Sequence, residues 1–276
     1  PSLLSWEYLG VLFKHPDPKV TNIECPNFFE LDGKWVLIVS PHRRVEYFIG
    51  EFDGKTFSQQ RTALLDHSEN FYAPNCTTDQ TGRRVLWGWV RGFKEGQGWN
   101  GCLTTPRVLK ISLRGDLFQS PAPELGTLKS KTIFTSGDQR LSLKDPLKVP
   151  VHTRQFRVRA EFYSGDRSNL RLLNSKGAAQ LEISYRDGAV RIGTQKMPLA
   201  LGPNDPFHLD LFADHSLLEI YVNDQVCFTT VKHNSSSEST LEFSSAEASN
   251  TFNAEIHELA SGWLAPGQPA PASIPK

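Results

Sequence analysis

Residues 1 to about 118 consist of short apolar runs rich in β-branched and aromatic residues, separated by polar turns. Such runs are typical of β-strands, and no intervening stretch of helical length shows a 3.6-residue period. The dipeptides Asp32-Gly33 and Asp53-Gly54 are turn signals. The predicted strands cover residues 6–12, 35–39, 46–52, 84–90 and 106–113. The first part of the chain is therefore predicted to be all-β.

Two units of similar length follow one another in this part of the chain. One runs from Glu24 to about Thr62 and the other from Phe71 to about Leu117, each opening with a polar motif and closing near a glycine-containing turn. A period of about 40 to 50 residues is typical of β-propeller blades. Because the innermost strand of each blade lines the central channel, Glu24 and Tyr72 are expected to be neighbours.

After a proline-rich connector at residues 120–126 the pattern becomes an alternation of apolar and polar positions. Strands are predicted at residues 155–162, 180–185, 208–212 and 218–222, with hairpin turns at 186–188 and 223–225. Strands at this spacing favour a β-sandwich. The predicted domains are residues 1–119, a linker at 120–128, a sandwich at 129–265 and a proline-rich tail at 266–276 that frays.

The amino-acid composition argues against some classes of binding partner. The 276 residues carry a formal net charge of zero, which argues against nucleic acid or an anionic membrane surface as partner. No run approaches the roughly 20 apolar residues that a membrane span needs. The chain starts at Pro1 without a basic or apolar leader, so a targeting peptide is expected to be absent or to lie upstream.

The four cysteines are Cys25, Cys76, Cys102 and Cys227, and their spacing fits neither a disulfide scaffold nor a zinc site. They are interpreted as small buried hydrophobes, and no metal is expected. The triplets Asn75-Cys76-Thr77 and Asn234-Ser235-Ser236 match the glycosylation pattern, but such triplets are common by chance and do not identify a compartment.

Glu24 is the first candidate for chemistry. It stands against Cys25 and Pro26, immediately before an apolar run that leads into a predicted hairpin. A carboxyl group walled by apolar side chains keeps its proton at neutral pH and can protonate a leaving group. A buried glutamate held in a backbone hydrogen-bond network would give the same sequence pattern, so both alternatives stay open.

Several motifs occur together in a characteristic order. They are Glu24-Cys25-Pro26, the segment 47–54, Asn70-Phe71-Tyr72-Ala73-Pro74-Asn75, the segment 82–89, Gly98-Trp99-Asn100-Gly101 and Thr105-Pro106-Arg107. This series resembles glycoside hydrolase family 32, the invertase and β-fructofuranosidase family. The segment 214–223 is similar to the signature of that family's C-terminal β-sandwich. The resemblance covers nearly the whole chain.

The resemblance implies an all-β fold, a partial five-bladed β-propeller (its last two to three blades) followed by a C-terminal β-sandwich. It also implies a retaining hydrolase of β-fructofuranosides, either sucrose or fructans, with Glu24 as general acid and then general base. Cys25, Tyr72 and Trp99 are the substrate-binding candidates that follow from it. Because retaining hydrolysis uses two carboxyl groups, no cofactor is expected.

Three further groups of residues allow two interpretations each. Trp99 follows a flexible polar segment, where an exposed indole is costly unless it covers something such as a furanose ring. For Trp87 and Trp89 a place in the blade core is as plausible as a substrate contact. The cluster 42–44 is more often a solvated loop than a sugar contact. For Arg107 an ion pair within the fold and a substrate contact weigh equally.

One departure from the family pattern affects the mechanism. Family members carry a Trp-Met-Asn-Asp-Pro-type motif with the nucleophilic aspartate and an Arg-Asp-Pro motif, and neither occurs in these 276 residues. A partner is therefore expected, an N-terminal fragment that carries the nucleophile and the remaining blades, and an oligomer is possible. The alternatives to hydrolysis are fructosyl transfer and a non-catalytic sugar-binding module.

Overall fold

The structure is a computed structural model, and it describes residues 3–96, 98–163, 167–202, 205–232, 237–246 and 251–262. Across these ranges 21 strands form antiparallel sheets, and the helical structure consists of one short 3₁₀ helix at Pro123–Leu128. The all-β prediction is thus confirmed for the described part of the chain. The triplet at 234–236 and the tail at 266–276 lie outside the described residues.

Contacts divide the chain into two units. One comprises Pro1–Ala122 with Leu217–His233, and the other comprises Pro123–Ser216 with Asn234–Lys276. The stretch that was predicted as a connector contains the end of a strand at Pro121 and the 3₁₀ helix. None of the helices in the described ranges has the length and apolar character that a membrane crossing requires.

The first unit contains two sheets built from consecutive strands. The first sheet has the order β1 (Glu24–Leu31), β2 (Lys34–Ser40), β3 (Glu46–Phe52) and β4 (Phe57–Leu64). The second has the order β5 (Phe71–Thr78), β6 (Arg84–Val90), β8 (Arg107–Ile111) and β9 (Leu117–Pro121), with the short β7 (Cys102–Leu103) also paired to β6. The two predicted repeat units are therefore confirmed as two antiparallel sheets of similar length.

A shared apolar core joins the two sheets of this unit. Buried side chains of the first sheet, such as Ile38 and Ile49, belong to the same cluster as Phe71, Leu86 and Leu109 of the second. The opposite face of the first sheet has its own cluster around Leu37 and Phe48. Since strand residues alternate between faces, β2 and β3 each supply side chains to both clusters.

The predicted strand at residues 6–12 is wrong. In the structure this segment is extended but pairs with no strand of the described residues. Its continuation packs against the first sheet, where the ring of Phe13 lies 4.7 Å from that of Phe48. Trp6 remains 84% exposed. An apolar pattern gives a strand only where a neighbouring strand can accept its backbone hydrogen bonds, and none of the described strands lies beside this one.

A hairpin later in the chain belongs to the first unit by its contacts. It consists of β18 (Leu217–Val222) and β19 (Val226–Val231). The turn between them was predicted from the sequence and is confirmed. Asn223 and Asp224 both have positive φ, 48° and 56°, as the central residues of a type I′ turn require, and the N–H of Gln225 donates to the carbonyl of Val222 at 3.0 Å.

The second unit consists of two facing sheets. One runs in the order β10 (Lys129–Arg140), β21 (Thr251–Leu259), β12 (Gln155–Phe162) and β17 (Phe207–Asp214). The other runs in the order β11 (Leu147–Val151), β20 (Ser239–Ser245), β13 (Ser168–Asn174), β14 (Ala179–Arg186), β15 (Ala189–Ile192) and β16 (Gln195–Pro198). Phe243 and Phe252 meet between the sheets with ring centroids 4.9 Å apart. The predicted sandwich pattern is confirmed within this unit.

Candidate active site

Two strands of the first unit open with the residues that the sequence singled out. Glu24 is the first residue of β1 and Tyr72 the second residue of β5. Each is followed by a break in strand register, and Cys25 and Ala73 have positive φ at 47° and 43°. β-Bulges of this kind turn a side chain away from the regular alternation of the strand. Each strand thus has a polar side chain directly before its bulge.

The side chain of Asn27 ties the two bulges together. Its amide nitrogen donates to the carbonyl oxygens of Cys25, at 2.9 Å, and Pro74, at 3.0 Å. Its amide oxygen accepts from the backbone N–H of Cys76 at 3.0 Å. One asparagine therefore holds the opening of β1 against the opening of β5, although 47 residues separate it from Pro74.

The phenol of Tyr72 lies against the carboxylate of Glu24, with 2.9 Å between Oη and Oε2. The expected proximity of these two residues is thus confirmed. The Tyr72 oxygen also lies 3.2 Å from the carbonyl oxygen of Ser40 and accepts from the backbone N–H of His42 at 3.1 Å. Burial, followed by the hydrogen bond to Glu24, raises the pKa of Tyr72, so the phenol keeps its proton at neutral pH.

The apolar enclosure predicted for Glu24 is wrong, because its side chain is 43% exposed in the structure. The aromatic residues that follow it pack elsewhere. Phe28 stacks on Trp35 with ring centroids 4.6 Å apart, and Phe29 lies in the core between the two sheets. The imidazole Nε2 of His42 lies 3.8 Å from Oε1 of Glu24. The surroundings of this carboxylate are therefore polar and open.

The interpretation of the cysteines as buried hydrophobes holds for only part of the set. Cys227 is buried and Cys76 partly buried, and burial raises the pKa of the Cys76 thiol to about 12. Cys25 and Cys102 are exposed. Cys25 follows Glu24 on the bulge, where its φ is positive, and its side chain is exposed. Its thiol therefore lies outside the core.

Sequence reasoning missed Arg91, which stands directly after β6. Its guanidinium carbon lies 4.4 Å from the centroid of the Tyr72 ring, a cation–π contact. Its Nε donates to the carbonyl of Glu69 at 3.1 Å, and its own carbonyl accepts from the amide of Asn70 at 2.8 Å. A basic residue at the end of a strand that pairs with the Tyr72 strand is the signal that could have identified it.

Trp99 lies on the segment between β6 and β7. Its side chain is 50% exposed, and its ring meets that of Phe93 edge to face at 4.8 Å. The indole N–H of Trp89 donates to the carbonyl of Asn100 at 3.3 Å, so Trp89 supports the segment that carries Trp99. The structure brings Glu24, Cys25 and Tyr72 together at the openings of β1 and β5, whereas Trp99 stands on this separate segment.

The basic residues at 42–44 and Arg107 have different partners in the structure. Arg43 pairs with Asp17 at 2.8 Å, and Arg44 lies 3.3 Å from Glu69, so both arginines are engaged in ion pairs. Hydrogen bonding to Asp17 raises the pKa of Arg43. Arg107 is completely buried and bonded to carboxylates, so the ion-pair interpretation is right for it. Only His42 of these residues approaches Glu24.

Comparison with protein families gives two matches along the chain. The model described as "Glycosyl hydrolases family 32 N-terminal domain" matches residues 1–121. The model described as "Glycosyl hydrolases family 32 C terminal" matches residues 124–258. Together they cover both parts of the chain in the order that the motifs indicated.

Curated relatives include sucrose-6-phosphate hydrolases from several bacteria. That of Vibrio alginolyticus is 26% identical over 247 residues, which are 80% of this chain and 50% of the relative. That of Escherichia coli is 27% identical over 252 residues, 81% of this chain and 52% of the relative. That of Bacillus subtilis is 31% identical over 154 residues, 46% and 32%. The chain spans about half the length, or less, of the curated relatives it matches.

Solved structures with the same fold include a β-fructofuranosidase of Bombyx mori, with a TM-score of 0.77 at 21% identity, over 94% of this chain and 58% of that one. The sucrose-6-phosphate hydrolase of Lactobacillus gasseri gives a TM-score of 0.76 at 22% identity, over 93% and 58%. At such identities the likeness establishes the fold. With both family matches in sequence order and the ordered motifs around Glu24, the chain belongs to glycoside hydrolase family 32.

Proposed function

We propose that this chain forms part of a retaining glycoside hydrolase that acts on β-fructofuranosides, with Glu24 as its general acid and base. The observation that carries the proposal is the contact of Glu24 with Tyr72, which lie at the N-terminal ends of β1 and β5. The other carboxylate oxygen, Oε1, lies 3.8 Å from Nε2 of His42, and the Glu24 side chain is 43% exposed. The names of the relatives direct the choice of substrate to sucrose or sucrose 6-phosphate, with fructans as the alternative.

The proposed reaction has two steps. In the first, the carboxyl of Glu24 gives its proton to the glycosidic oxygen, the bond between this oxygen and the anomeric carbon of fructose breaks, and a carboxylate nucleophile bonds to that carbon. The rest of the substrate leaves as an alcohol. In the second, Glu24 takes a proton from the water whose oxygen bonds to this carbon, and the bond from the carbon to the nucleophile breaks. Fructose leaves with its configuration retained, and both carboxyl groups return to their starting forms. Exposure of Glu24 suits the role, since its proton must pass to substrate and come back from water.

The nucleophilic aspartate is proposed to lie on a segment outside residues 1–276. Within them the dipeptides Asp17-Pro18, Asp145-Pro146 and Asp205-Pro206 lack the residues that flank the family's nucleophile. The two carboxyl groups of a retaining enzyme stand about 5 to 5.5 Å apart. Such a segment therefore has to pack directly against the openings of β1 and β5.

The sheets β1–β4 and β5–β9 are proposed to be blades of a five-bladed propeller that this outside segment completes. Each is an antiparallel sheet of consecutive strands, as a blade is. The extended N-terminal segment carries a row of exposed apolar residues, which supports the proposal that a further strand packs beside it. The row comprises Leu3, Leu4, Trp6, Tyr8, Leu9 and Val11. Contiguous apolar surface of this kind usually marks an interface.

Fructose release by the full-length protein tests the proposal. Sucrose, sucrose 6-phosphate, inulin and levan are supplied separately, and the anomeric configuration of the released fructose is followed by NMR. Net retention with at least one of them is expected. Binding of these sugars without any fructose release would replace the enzyme by a sugar-binding module, and transfer to a second sugar would indicate a fructosyltransferase.

The partner is tested separately. The polypeptide 1–276 is assayed alone and after addition of the N-terminal remainder of the protein, and native mass spectrometry measures its association state. Activity is expected only in the presence of the added segment. A monodisperse, fully active 276-residue monomer would rule out the nucleophile on another segment.

A further inference from the structure

The hydroxyl of Tyr72 has two hydrogen-bond acceptors within reach but only one proton to donate. Its oxygen lies 2.9 Å from the carboxylate of Glu24 and 3.2 Å from the carbonyl oxygen of Ser40, both of which only accept. The backbone N–H of His42 donates to it at 3.1 Å. A phenol carries one proton and can also accept hydrogen bonds. The single phenolic proton of Tyr72 therefore has two alternative acceptors at hydrogen-bonding distance.

The acid–base role proposed for Glu24, on which this inference rests, makes the second acceptor significant. Glu24 must be protonated before the first step and ionised before the second. An ionised Glu24 is the better acceptor for the phenol, because hydrogen bonds to charged groups are the stronger ones. Once Glu24 is protonated, its acceptor strength falls. A buried phenol with no other acceptor would then be left poorly paired, which is unfavourable.

We propose that Tyr72 is a positioning residue whose proton moves between Glu24 and the Ser40 carbonyl as Glu24 loses and regains its own proton. With Glu24 ionised, Tyr72 donates to the carboxylate and holds it in place. With Glu24 protonated, Tyr72 donates to Ser40, continues to accept from His42, and leaves the acid proton of Glu24 for the glycosidic oxygen. Rotation of the hydroxyl about the Cζ–Oη bond is sufficient, and no bond to hydrogen breaks in Tyr72.

The surroundings of the ring restrict Tyr72 to this motion. Its side chain is buried in the cluster that contains Phe71 and Leu86. The guanidinium of Arg91 covers one ring face at 4.4 Å. The charged or titratable groups near the hydroxyl are Glu24, the imidazole of His42, which lies 3.8 Å from Glu24, and Arg91. The ring is thus held while the hydroxyl stays free to choose its acceptor.

NMR of the full-length protein with ¹³C at the ring carbon that bears the hydroxyl and at the glutamate carboxyl carbon tests the switch directly. In the wild type, the Tyr72 signal is expected to move in a single step at the same pH as the Glu24 carboxyl signal. In Glu24→Ala the Tyr72 step should vanish. Tyr47, a buried tyrosine of the same core, is the internal control and should show no such step.

Kinetics of Tyr72→Phe and Tyr47→Phe provide the second readout. Without the phenol the ionised form of Glu24 loses a donor, so Glu24 keeps its proton to higher pH. The alkaline limb of the rate profile should then move upward by about one pH unit, and kcat should fall about tenfold with little change in KM. Tyr47→Phe should leave both unchanged.

If Tyr72→Phe does not fold, 3-fluorotyrosine at position 72 replaces it, since its stronger donor should move the alkaline limb the opposite way. A Tyr72 signal that stays constant while Glu24 titrates would overturn the switch. So would an alkaline limb that neither Tyr72 change moves. Absence of fructose release in the wild type would instead refute the proposed function and leave the NMR result to decide the switch.

Discussion

Asp66 and Arg107 form an ion pair at 3.1 Å in which the two side chains are 0% and 1% exposed. Arg107 also pairs with Glu219 at 3.3 Å and bonds to the hydroxyl of Thr229 at 2.6 Å. Burial raises the pKa of Glu219, while the arginine opposes that shift. Arg107 therefore links the loop after β4, the strand β8 and the hairpin β18–β19, all within the first unit.

Replacing Arg107 by methionine should lower the free energy of unfolding of the first unit by about 3 to 5 kcal/mol, because the buried carboxyl groups of Asp66 and Glu219 both lose their cation. The control is Arg61→Met, whose pair with Asp116 is about half exposed and should contribute about 0 to 1 kcal/mol. Urea unfolding of the two variants provides the comparison. Equal losses in both would show that the buried pair is no more important than a surface pair.

Replacing Glu24 by glutamine should reduce turnover of sucrose or its 6-phosphate by about 10²- to 10⁴-fold, since the amide keeps the shape of the side chain and has no proton to give. A fructoside with an activated leaving group should lose less in its first step. Glu30→Gln, an exposed change on the same strand, is the control. Steady-state rates of the two variants and the wild type are compared. If Glu24→Gln turned over substrate at the wild-type rate, Glu24 would not be the general acid.

Replacing Trp99 by alanine should raise KM more than it lowers kcat, because a stacking surface for the sugar contributes about equally to the ground state and the transition state. Tyr163→Ala, which removes an exposed aromatic side chain of the second unit, serves as the control. Both constants and the melting temperature are measured. An unchanged KM with a lower melting temperature would assign Trp99 to the fold alone.

The turn between β5 and β6, which contains Asp79, should lose stability in acid. Burial raises its pKa, but hydrogen bonds from Arg83 and Thr81 outweigh that and hold it at about 2, below the ordinary value of 3.8. A lowered folded-state pKa means stability that is present above about pH 4 and lost as pH falls toward about 2. The stability difference between wild type and Asp79→Asn should therefore disappear over that window.

Unfolding measured at closely spaced pH values checks this. Thr81→Ala, which removes one donor to Asp79 at 2.8 Å, should show the same window with a smaller difference. A difference between wild type and Asp79→Asn that stays constant from pH 5 to pH 2 would contradict the assignment, because ionisation of Asp79 would then play no part.

The sequence by itself determined eight of the nine strands predicted from it, the two repeat units and the proximity of Glu24 to Tyr72. These follow from local signals: alternation specifies a strand with two faces, Asn223 and Asp224 suit a tight turn, and equal spacing places equivalent residues together. The proximity of Glu24 and Tyr72 followed from the repeat, because homologous positions of adjacent sheets lie side by side. For such features the neighbouring residues in sequence carry the information.

Tertiary structure alone decided what surrounds each side chain. Residues 6–12 have a strand pattern but no described partner for their backbone, and Glu24 precedes an apolar run that packs away from it. Arg107 was ambiguous in sequence because its carboxylate partners, Asp66 and Glu219, lie 41 and 112 residues away. Solvation and charge pairing depend on groups that approach through space, so exposure, ion pairing and the two acceptors of Tyr72 emerge only when the sheets are packed.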